Sequence, residues 1–376
     1  MRIGFDAKRL FNNFTGLGNY SRFILNALSE TYPENEYLLY APKLRSHPEV
    51  DSLLQKSSIK IHEPSKVTAS LRLGSFWRSY NLGNVAANDD VQVFHGLSNE
   101  LPLTKPKQLK SVVTVHDLIF KRFPEFYKPI DIKIYDWKLR NACQSADKII
   151  AISKQTADDL IEFLGIDPAK IEIIYQGSHP NFKKVYSQDQ VNEVKKRYKL
   201  PTEFILNVGT IESRKNVLLL LQALKHSKHN LPVVIVGRAT SYLKQLNDYI
   251  TANGLEKRVF FIHNAAFADL PAIYQLAKVF VYPSLFEGFG IPIVEAISCG
   301  APVITSQGSC FSEAGGPDCL YVDSKNPEQL TEALNTILSD ETIARQMTER
   351  SKTYIERFEP AVIAPALMKV YKKILQ

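Results

Sequence analysis

The stretch Pro283-Ser-Leu-Phe-Glu-Gly-Phe-Gly-Ile-Pro-Ile-Val-Glu-Ala-Ile-Ser-Cys-Gly300 decides the fold. Val279 to Tyr282, just before it, is a β-branched and aromatic run and reads as a buried strand. Pro292 suits the start of a helix and Gly300 suits the residue just past its end. The apolar run Pro302 to Thr305 reads as the next strand. The Gly-Phe-Gly turn therefore lies at the carboxyl end of a strand, where open α/β sheets bind ligands. Gly288 and Gly290 let a ligand approach the backbone closely. The N–H groups of Gly288, Phe289, Gly290 and Ile291 at the helix start favour an anion such as a phosphate. Glu287 and Glu295 would repel that phosphate, so they make sense as acceptors for neutral donors such as sugar and ribose hydroxyls.

At 376 residues the chain is long enough for two domains, each with its own core. A hydrophobic content of 45% and a charged content of 23% are those of a globular enzyme. No apolar run approaches the roughly 20 residues that span a bilayer. Met1-Arg-Ile-Gly-Phe-Asp-Ala reads as a strand rather than a secretion signal, because an acid interrupts it. Cys143, Cys299, Cys310 and Cys319 show no close metal-binding spacing, so no metal site and a reduced, cytoplasmic setting are expected. The net charge is +7, shared as 23 Lys+Arg against 20 Asp+Glu in residues 1–180 and 23 against 19 in the remainder. With no basic run or tail, nucleic acid is not an expected partner. Arg72, Trp77 and Arg78 mix bases with an aromatic, as helices on the inner face of a membrane do. A half-buried surface helix explains the same residues.

Apolar strands alternate with helical segments from end to end, which predicts doubly wound α/β sheets. The first series is Ile3–Asp6, Tyr37–Tyr40, Ile59–His62, Val91–His95, Val112–His116, Ile149–Ile152 and Ile171–Tyr175. The second is Phe204–Val208, Val233–Val236, Val259–Ile262, Val279–Tyr282, Val303–Thr305 and Leu320–Val322. The expected domains are 1–180 and 181–359. Ala361 to Leu375 has the apolar spacing of an amphipathic helix.

Further motifs cluster at strand ends. In Asn207-Val-Gly-Thr-Ile-Glu-Ser-Arg-Lys-Asn216, Gly209 permits a tight turn before an apolar helix. Arg214 supplies a fork and Lys215 a point charge beside a helix start, a combination that suits a diphosphate. Gly16-Leu-Gly18 leads into a helix expected over Asn19–Leu28, with Ser21 where a dinucleotide fingerprint needs its third glycine. Val113-Thr-Val-His-Asp-Leu118 ends a strand with His116, which suits an acid, a base or a sugar ligand. Ser153 stands where a strand meets a helix and is either a ligand contact or a helix cap. His95-Gly96 ends another strand and fits an acceptor-side role.

Glu287-x7-Glu295, with Glu-Gly-Phe-Gly-Ile-Pro and Cys-Gly-Ala-Pro-Val-Ile around it, resembles the signature of retaining glycosyltransferases of the GT-B fold, family 4 or group 1. That resemblance covers nearly the whole chain. It implies two Rossmann-like domains facing a central cleft, with the last helix, 360–376, returning to the first domain. It implies a hexosyltransferase that retains anomeric configuration without a metal or other cofactor. Carried over, Glu287 contacts the transferred sugar, Glu295 the ribose, and Arg214 with Lys215 the diphosphate. Gly16 and Gly18 fall near phosphates and acceptor, and Ser153 near the donor. The Val-His-Asp-Leu stretch is similar to that of mannosyl-transferring members, whose histidine contacts the donor sugar. It favours GDP-mannose as donor, with UDP- or dTDP-sugars as alternatives. The implied acceptor is a hydroxyl of a glycan or lipid-linked glycan in polysaccharide biosynthesis.

Other classes fit less well. A glycoside hydrolase also uses paired carboxylates but needs no diphosphate cradle. An oxidoreductase would want the missing third glycine and an acid after the second strand, where Ala41-Pro42 stand. A catalytically inactive nucleotide-sugar-binding protein would keep every motif and is separated only by turnover.

Overall fold

The computed structural model describes residues 1–64 and 73–376. Arg72, one of the three residues singled out for a membrane contact, lies outside the described residues. The chain divides into two compact units, Met1–Gly177 with Phe358–Gln376, and Ser178–Arg357.

In the first unit a parallel sheet runs in the order β3-β2-β1-β4-β5-β6-β7. Its strands are β1 (Arg2–Asp6), β2 (Glu36–Tyr40), β3 (Ile59–His62), β4 (Val93–Gly96), β5 (Lys110–Val115), β6 (Lys148–Ala151) and β7 (Ile171–Ile173). In the second unit the order is β10-β9-β8-β11-β12-β13. These are β8 (Ile205–Val208), β9 (Val233–Val236), β10 (Val259–Ile262), β11 (Val279–Tyr282), β12 (Val303–Ser306) and β13 (Leu320–Val322). Every pairing is parallel. Helices cover such sheets on both faces, which is why β9 and β11 are buried at every residue and read as unbroken apolar runs. In each sheet the chain first winds outward one way and then the other. The reversal falls between β1 and β4 in one unit and between β8 and β11 in the other. Those reversals open the crevices where α/β sheets accept ligands.

Several sequence expectations shift. The helix foreseen from Asn19 begins at Gly16 and runs to Thr31, so Gly16-Leu-Gly18 is the first helical turn rather than a loop. The Asn13 side-chain oxygen accepts from the amides of Thr15 at 2.8 Å and Gly18 at 3.3 Å, which anchors the early start. Trp77 and Arg78 are buried, so the half-buried helix is the right reading of that pair. Arg78 fills the β1/β4 crevice. Its Nε donates to Asp6 at 2.7 Å and its Nη1 to Glu100, which also receives Lys138 Nζ at 3.3 Å.

The last helix, Pro360–Leu375, belongs to the first unit. A buried polar chain holds it there. Tyr371 Oη lies 2.7 Å from His95 Nδ1, His95 Nε2 lies 2.8 Å from Thr114 Oγ1, and that hydroxyl lies 3.0 Å from Tyr20 Oη. His95 therefore does not serve an acceptor. It is wholly buried. Burial, with a further push from His116, lowers its pKa to about 3, so it stays neutral. Tyr371→Phe strands His95 Nδ1 without a partner and should cost about 1–3 kcal/mol, read as a lower urea midpoint with unchanged m-value.

Candidate active site

Three segments of the second unit converge at the β8/β11 reversal. β8 ends at Val208 and enters a tight turn through Gly209 (φ 153°). Gly237 packs so closely there that a Cβ on it would sit 1.7 Å from the Gly209 carbonyl oxygen. The chain then makes a short helical turn, Ser213–Lys215, one turn ahead of the apolar helix Val217–His226. Asn216, in the left-handed region at φ 56°, joins the two. The basic pair thus precedes the helix instead of opening it. Leu285 N donates to Arg214 O at 2.9 Å, Arg214 Nη1 donates to Phe286 O at 2.6 Å, and Asn216 Nδ2 donates to Pro283 O at 3.0 Å. These bonds fix the basic turn against the loop that follows β11.

That loop carries Glu287, which the fold buries. Its Oε1 takes four donors: Lys215 Nζ at 2.6 Å, Ser284 Oγ at 2.7 Å, Arg214 Nη1 at 2.8 Å and Tyr282 Oη at 3.1 Å. No protein donor reaches Oε2 among the described residues. Burial pushes the Glu287 carboxyl up, but Lys215 and Arg214 outweigh it and bring it down to about 2. Lys215 is lowered, first by burial and also by Arg214, against the pull of Glu287. Burial disfavours the Arg214 charge too, and Glu287 with Glu212 overcomes it and raises its pKa. Arg214 Nη2 meets Glu212 at 2.7 Å, so the two cations face two carboxylates. The sequence reading gave this basic pair an open, anion-seeking role. The structure adds an internal counter-ion.

Beyond Glu287 the chain turns through Gly290 (φ 99°) into the helix Ile291–Ser298, with Pro292 in its first turn. The amides of Gly290 and Ile291 donate to no protein acceptor among the described residues, as the first turn of a helix leaves them. The Phe289 ring is wholly buried, so only its backbone can meet a ligand. Glu295 lies on the buried face of that helix and accepts one hydrogen bond, from Tyr274 Oη at 3.0 Å. Burial raises its pKa to about 7, with the Tyr274 bond opposing. Ser306 Oγ, at the end of β12, is buried without a partner among the described residues.

The remaining candidates belong to the first unit. His116, one residue past β5, is buried, with Nε2 on the Leu97 carbonyl oxygen at 2.8 Å and Tyr20 edge-on to its ring at 4.7 Å. Burial lowers its pKa to about 4, so at neutral pH the ring is neutral. Nε2 then carries the proton toward Leu97 and Nδ1 is the free acceptor. Ser153 is the cap of the helix Lys154–Leu164. Its Oγ accepts from Thr156 N at 3.0 Å and it is wholly buried, so of its two readings the structure shows the cap. Gly18 has a packing reason as well, since a Cβ there would lie 1.7 Å from the Asn13 carbonyl oxygen, whereas Gly16 faces open space. Tyr282, Ser284 and Tyr274, which hold the two glutamates, escaped the sequence reading. Tyr282 and Ser284 lie five and three residues before Glu287, but strand and loop residues of this kind carry no signal of their own.

Residues 16–182 match the family described as Glycosyltransferase Family 4, and residues 189–354 match Glycosyl transferases group 1. O-antigen chain mannosyltransferase B of Escherichia coli is 25% identical over 95% of this chain and 96% of its own length. The serotype-specific mannosyltransferase WbdA of Escherichia coli is 30% identical over 71% of this chain. The chain spans about a third of WbdA's length, 34%. Among solved structures, HepE of Anabaena in complex with UDP has a TM-score of 0.75 at 18% identity and covers 99% of this chain and 100% of its own. WaaG, a glycosyltransferase of lipopolysaccharide biosynthesis, has a TM-score of 0.72 at 16% identity, with 100% of this chain and 99% of its own covered. At these identities both show the fold alone.

Glu295 couples the site to stability with a definite sign. Its folded pKa, about 7, stands above the ordinary 4.5. The fold is therefore favoured while the carboxyl is neutral, below pH 4.5, and that advantage is lost as pH rises to 7. Glu295→Gln should unfold later than wild type at pH 8, by on the order of 3 kcal/mol, and the gain should shrink toward pH 5. Urea unfolding at the two pH values reads it, and a pH-independent difference would contradict the assignment.

Proposed function

Because the chain belongs to glycosyltransferase family 4, we propose that it transfers a hexosyl group, mannose first among candidates, from a nucleotide diphosphate sugar to a hydroxyl of a glycan or lipid-linked glycan. The observation that carries this reading is the Glu287–Arg214–Lys215 cluster beside the helix start at Gly290 and Ile291. Two half-buried cations and a helix N-terminus at a sheet reversal suit a diphosphate. A carboxylate with one engaged and one open oxygen suits a sugar hydroxyl.

In the proposed reaction the bond between the sugar's anomeric carbon and the diphosphate breaks, and a bond to the acceptor oxygen forms. Negative charge grows on the departing diphosphate. Arg214, Lys215 and the amides of Gly290 and Ile291 stabilise it, already oriented and shielded from water. Their order before the donor arrives matters, because preset dipoles need no reorganisation when charge develops. Glu287 Oε2 receives a sugar hydroxyl and positions the anomeric centre. Glu295, as the carboxylate, receives the ribose hydroxyls. Neutral His116 offers Nδ1 to a further sugar hydroxyl. Gly16, Gly209 and Gly288 allow close backbone approach to the donor. Retention of configuration and independence from metal ions belong to this proposal through the family, as does GDP-mannose as the favoured donor. The relatives named as mannosyltransferases support mannose. HepE was solved with UDP and with UDP-glucose, so UDP-sugars are the alternative donors. A sugar-nucleotide binder without turnover is the second reading, which the same motifs would serve.

A donor panel of GDP-mannose, UDP-glucose and dTDP-glucose, assayed in excess EDTA with a glycan acceptor, tests the proposal. Turnover with one donor is expected, and binding without turnover selects the second reading. Arg214→Ala/Lys215→Ala should lower donor affinity at least about tenfold, since a charged hydrogen bond contributes roughly 1.5–3 kcal/mol. Calorimetry checks this, with circular dichroism to show an intact fold.

A further inference from the structure

On the transfer reading above, we propose that Asn99 reads the transferred hexose together with His116: its side-chain amide donates to one sugar hydroxyl while His116 Nδ1 accepts from the neighbouring one. Both residues follow the carboxyl ends of paired strands, Asn99 three residues after β4 and His116 one after β5. They lie beside the β1/β4 reversal, where open α/β sheets accept ligands. The loop after β4 is tight. A Cβ on Gly96 would sit 2.0 Å from the Glu100 carbonyl oxygen, so the residues between fold back on themselves. Asn99 takes left-handed backbone there, at φ 60°. Glycine is the default for that conformation, and asparagine is one of the few side chains that tolerate it. A side chain kept at such a position points to use of its amide.

That amide is half spent. Asn99 Oδ1 accepts from His116 N at 2.8 Å, and Asn99 N donates to Thr114 O at 2.9 Å. Leu97 O, two residues earlier, lies 2.8 Å from His116 Nε2, and Thr156 Oγ1 donates to the His116 carbonyl oxygen at 3.2 Å. His116 is thus gripped at its backbone amide, its carbonyl and one ring nitrogen. Two atoms are left over, and they are complementary. His116 Nδ1 is an acceptor on the neutral ring, and Asn99 Nδ2 is a donor on the amide that holds the same residue. Neither has a partner among the described residues, and unlike Ser306 Oγ neither is sealed from solvent.

The pair selects its ligand by chemistry. A phosphate has no hydrogen for Nδ1, and an ammonium has no lone pair for Nδ2. A hydroxyl both donates and accepts. Adjacent hydroxyls on one pyranose ring therefore satisfy both atoms at once. A site built to hydrogen-bond a hydroxyl also rejects the analogue that lacks it, because its own polar groups are then left unpaired. Asn99 is in this sense a specificity residue for the hexose and has no part in holding the nucleotide.

Calorimetry with the tightest-bound of GDP-mannose, UDP-glucose and dTDP-glucose, and with the 2-, 3-, 4- and 6-deoxy forms of its sugar, tests this. In wild type, loss of either of two adjacent hydroxyls should weaken binding about three- to tenfold, the worth of one neutral hydrogen bond. Asn99→Gly suits the left-handed backbone and deletes the amide. It should bind the parent donor about three- to tenfold more weakly, yet lose nothing further with the one deoxy form that lacks the hydroxyl Asn99 reads. His116→Ala should show the same indifference to the deoxy form at the adjacent carbon. Unchanged affinity for bare nucleoside diphosphate shows that each variant folds. A merely structural role for Asn99 would weaken every sugar donor alike, and that result overturns the proposal. So does equal affinity of wild type and Asn99→Gly for the parent donor, or a wild type indifferent to every deoxy form, which needs no variant. Those three outcomes leave the transfer reading standing. A wild type that binds no nucleotide sugar overturns that reading and this assignment with it.

Discussion

One carboxylate oxygen organises the second unit's site. Glu287 Oε1 gathers an ammonium, a guanidinium, a phenol and a hydroxyl from β11, its following loop and the turn after β8. Burying so many charges is costly unless each finds a partner, and removal of one partner of a buried pair costs roughly 3–5 kcal/mol. The arrangement therefore locks the loop, the basic turn and the helix start at Gly290 into one geometry. The same bonds hold both cations at high local order with their charge balanced from within. In the proposed reaction a diphosphate would compete with Glu287 for them, and the carboxylate would be a counter-ion before the donor arrives and a sugar contact after.

Glu295 shows the opposite economy. It is buried with a single phenol for company and sits near pH 7 in its titration, in a helix that packs without it. A leucine or methionine would serve the fold better at that position. A poorly satisfied carboxyl that weakens the fold at neutral pH is what a site awaiting hydroxyl donors requires. Within eight residues the chain carries one glutamate oversupplied with donors and one undersupplied, and their pKa values are driven to about 2 and about 7.

The sheets were legible because parallel strands buried on both faces spell themselves as short apolar runs. The ends were less so: β4 starts at Val93 rather than Val91, and β7 stops at Ile173 rather than Tyr175. Chain direction and hydrogen bonding set those ends, and hydropathy does not. The Gly-Phe-Gly turn and both glutamates were readable because φ angles and helix starts demand particular residues. What stayed hidden needs three dimensions. That Arg214, Lys215 and Glu287 form one cluster depends on β8 and β11 being neighbours, across 72 residues of sequence. That His95 serves Tyr371 rather than a ligand depends on a contact between residues 276 apart. Gly18 was taken for a ligand-facing glycine because close packing against Asn13 leaves no mark in composition. Trp77 and Arg78 looked interfacial because an aromatic beside a base reads the same buried or exposed, until Asp6 and Glu100 are seen around the guanidinium.

The central claim, that Glu287 balances the diphosphate-binding cations and contacts the sugar alone, is tested most directly by calorimetric titration of Glu287→Gln with bare nucleoside diphosphate and with the intact nucleotide sugar. Removal of the internal counter-ion leaves Arg214 and Lys215 free for phosphate. The account predicts that the variant binds the bare nucleotide at least as tightly as wild type, gains nothing from the attached sugar and transfers none. Loss of affinity for the bare nucleotide, in a variant that circular dichroism shows to be folded, would contradict it.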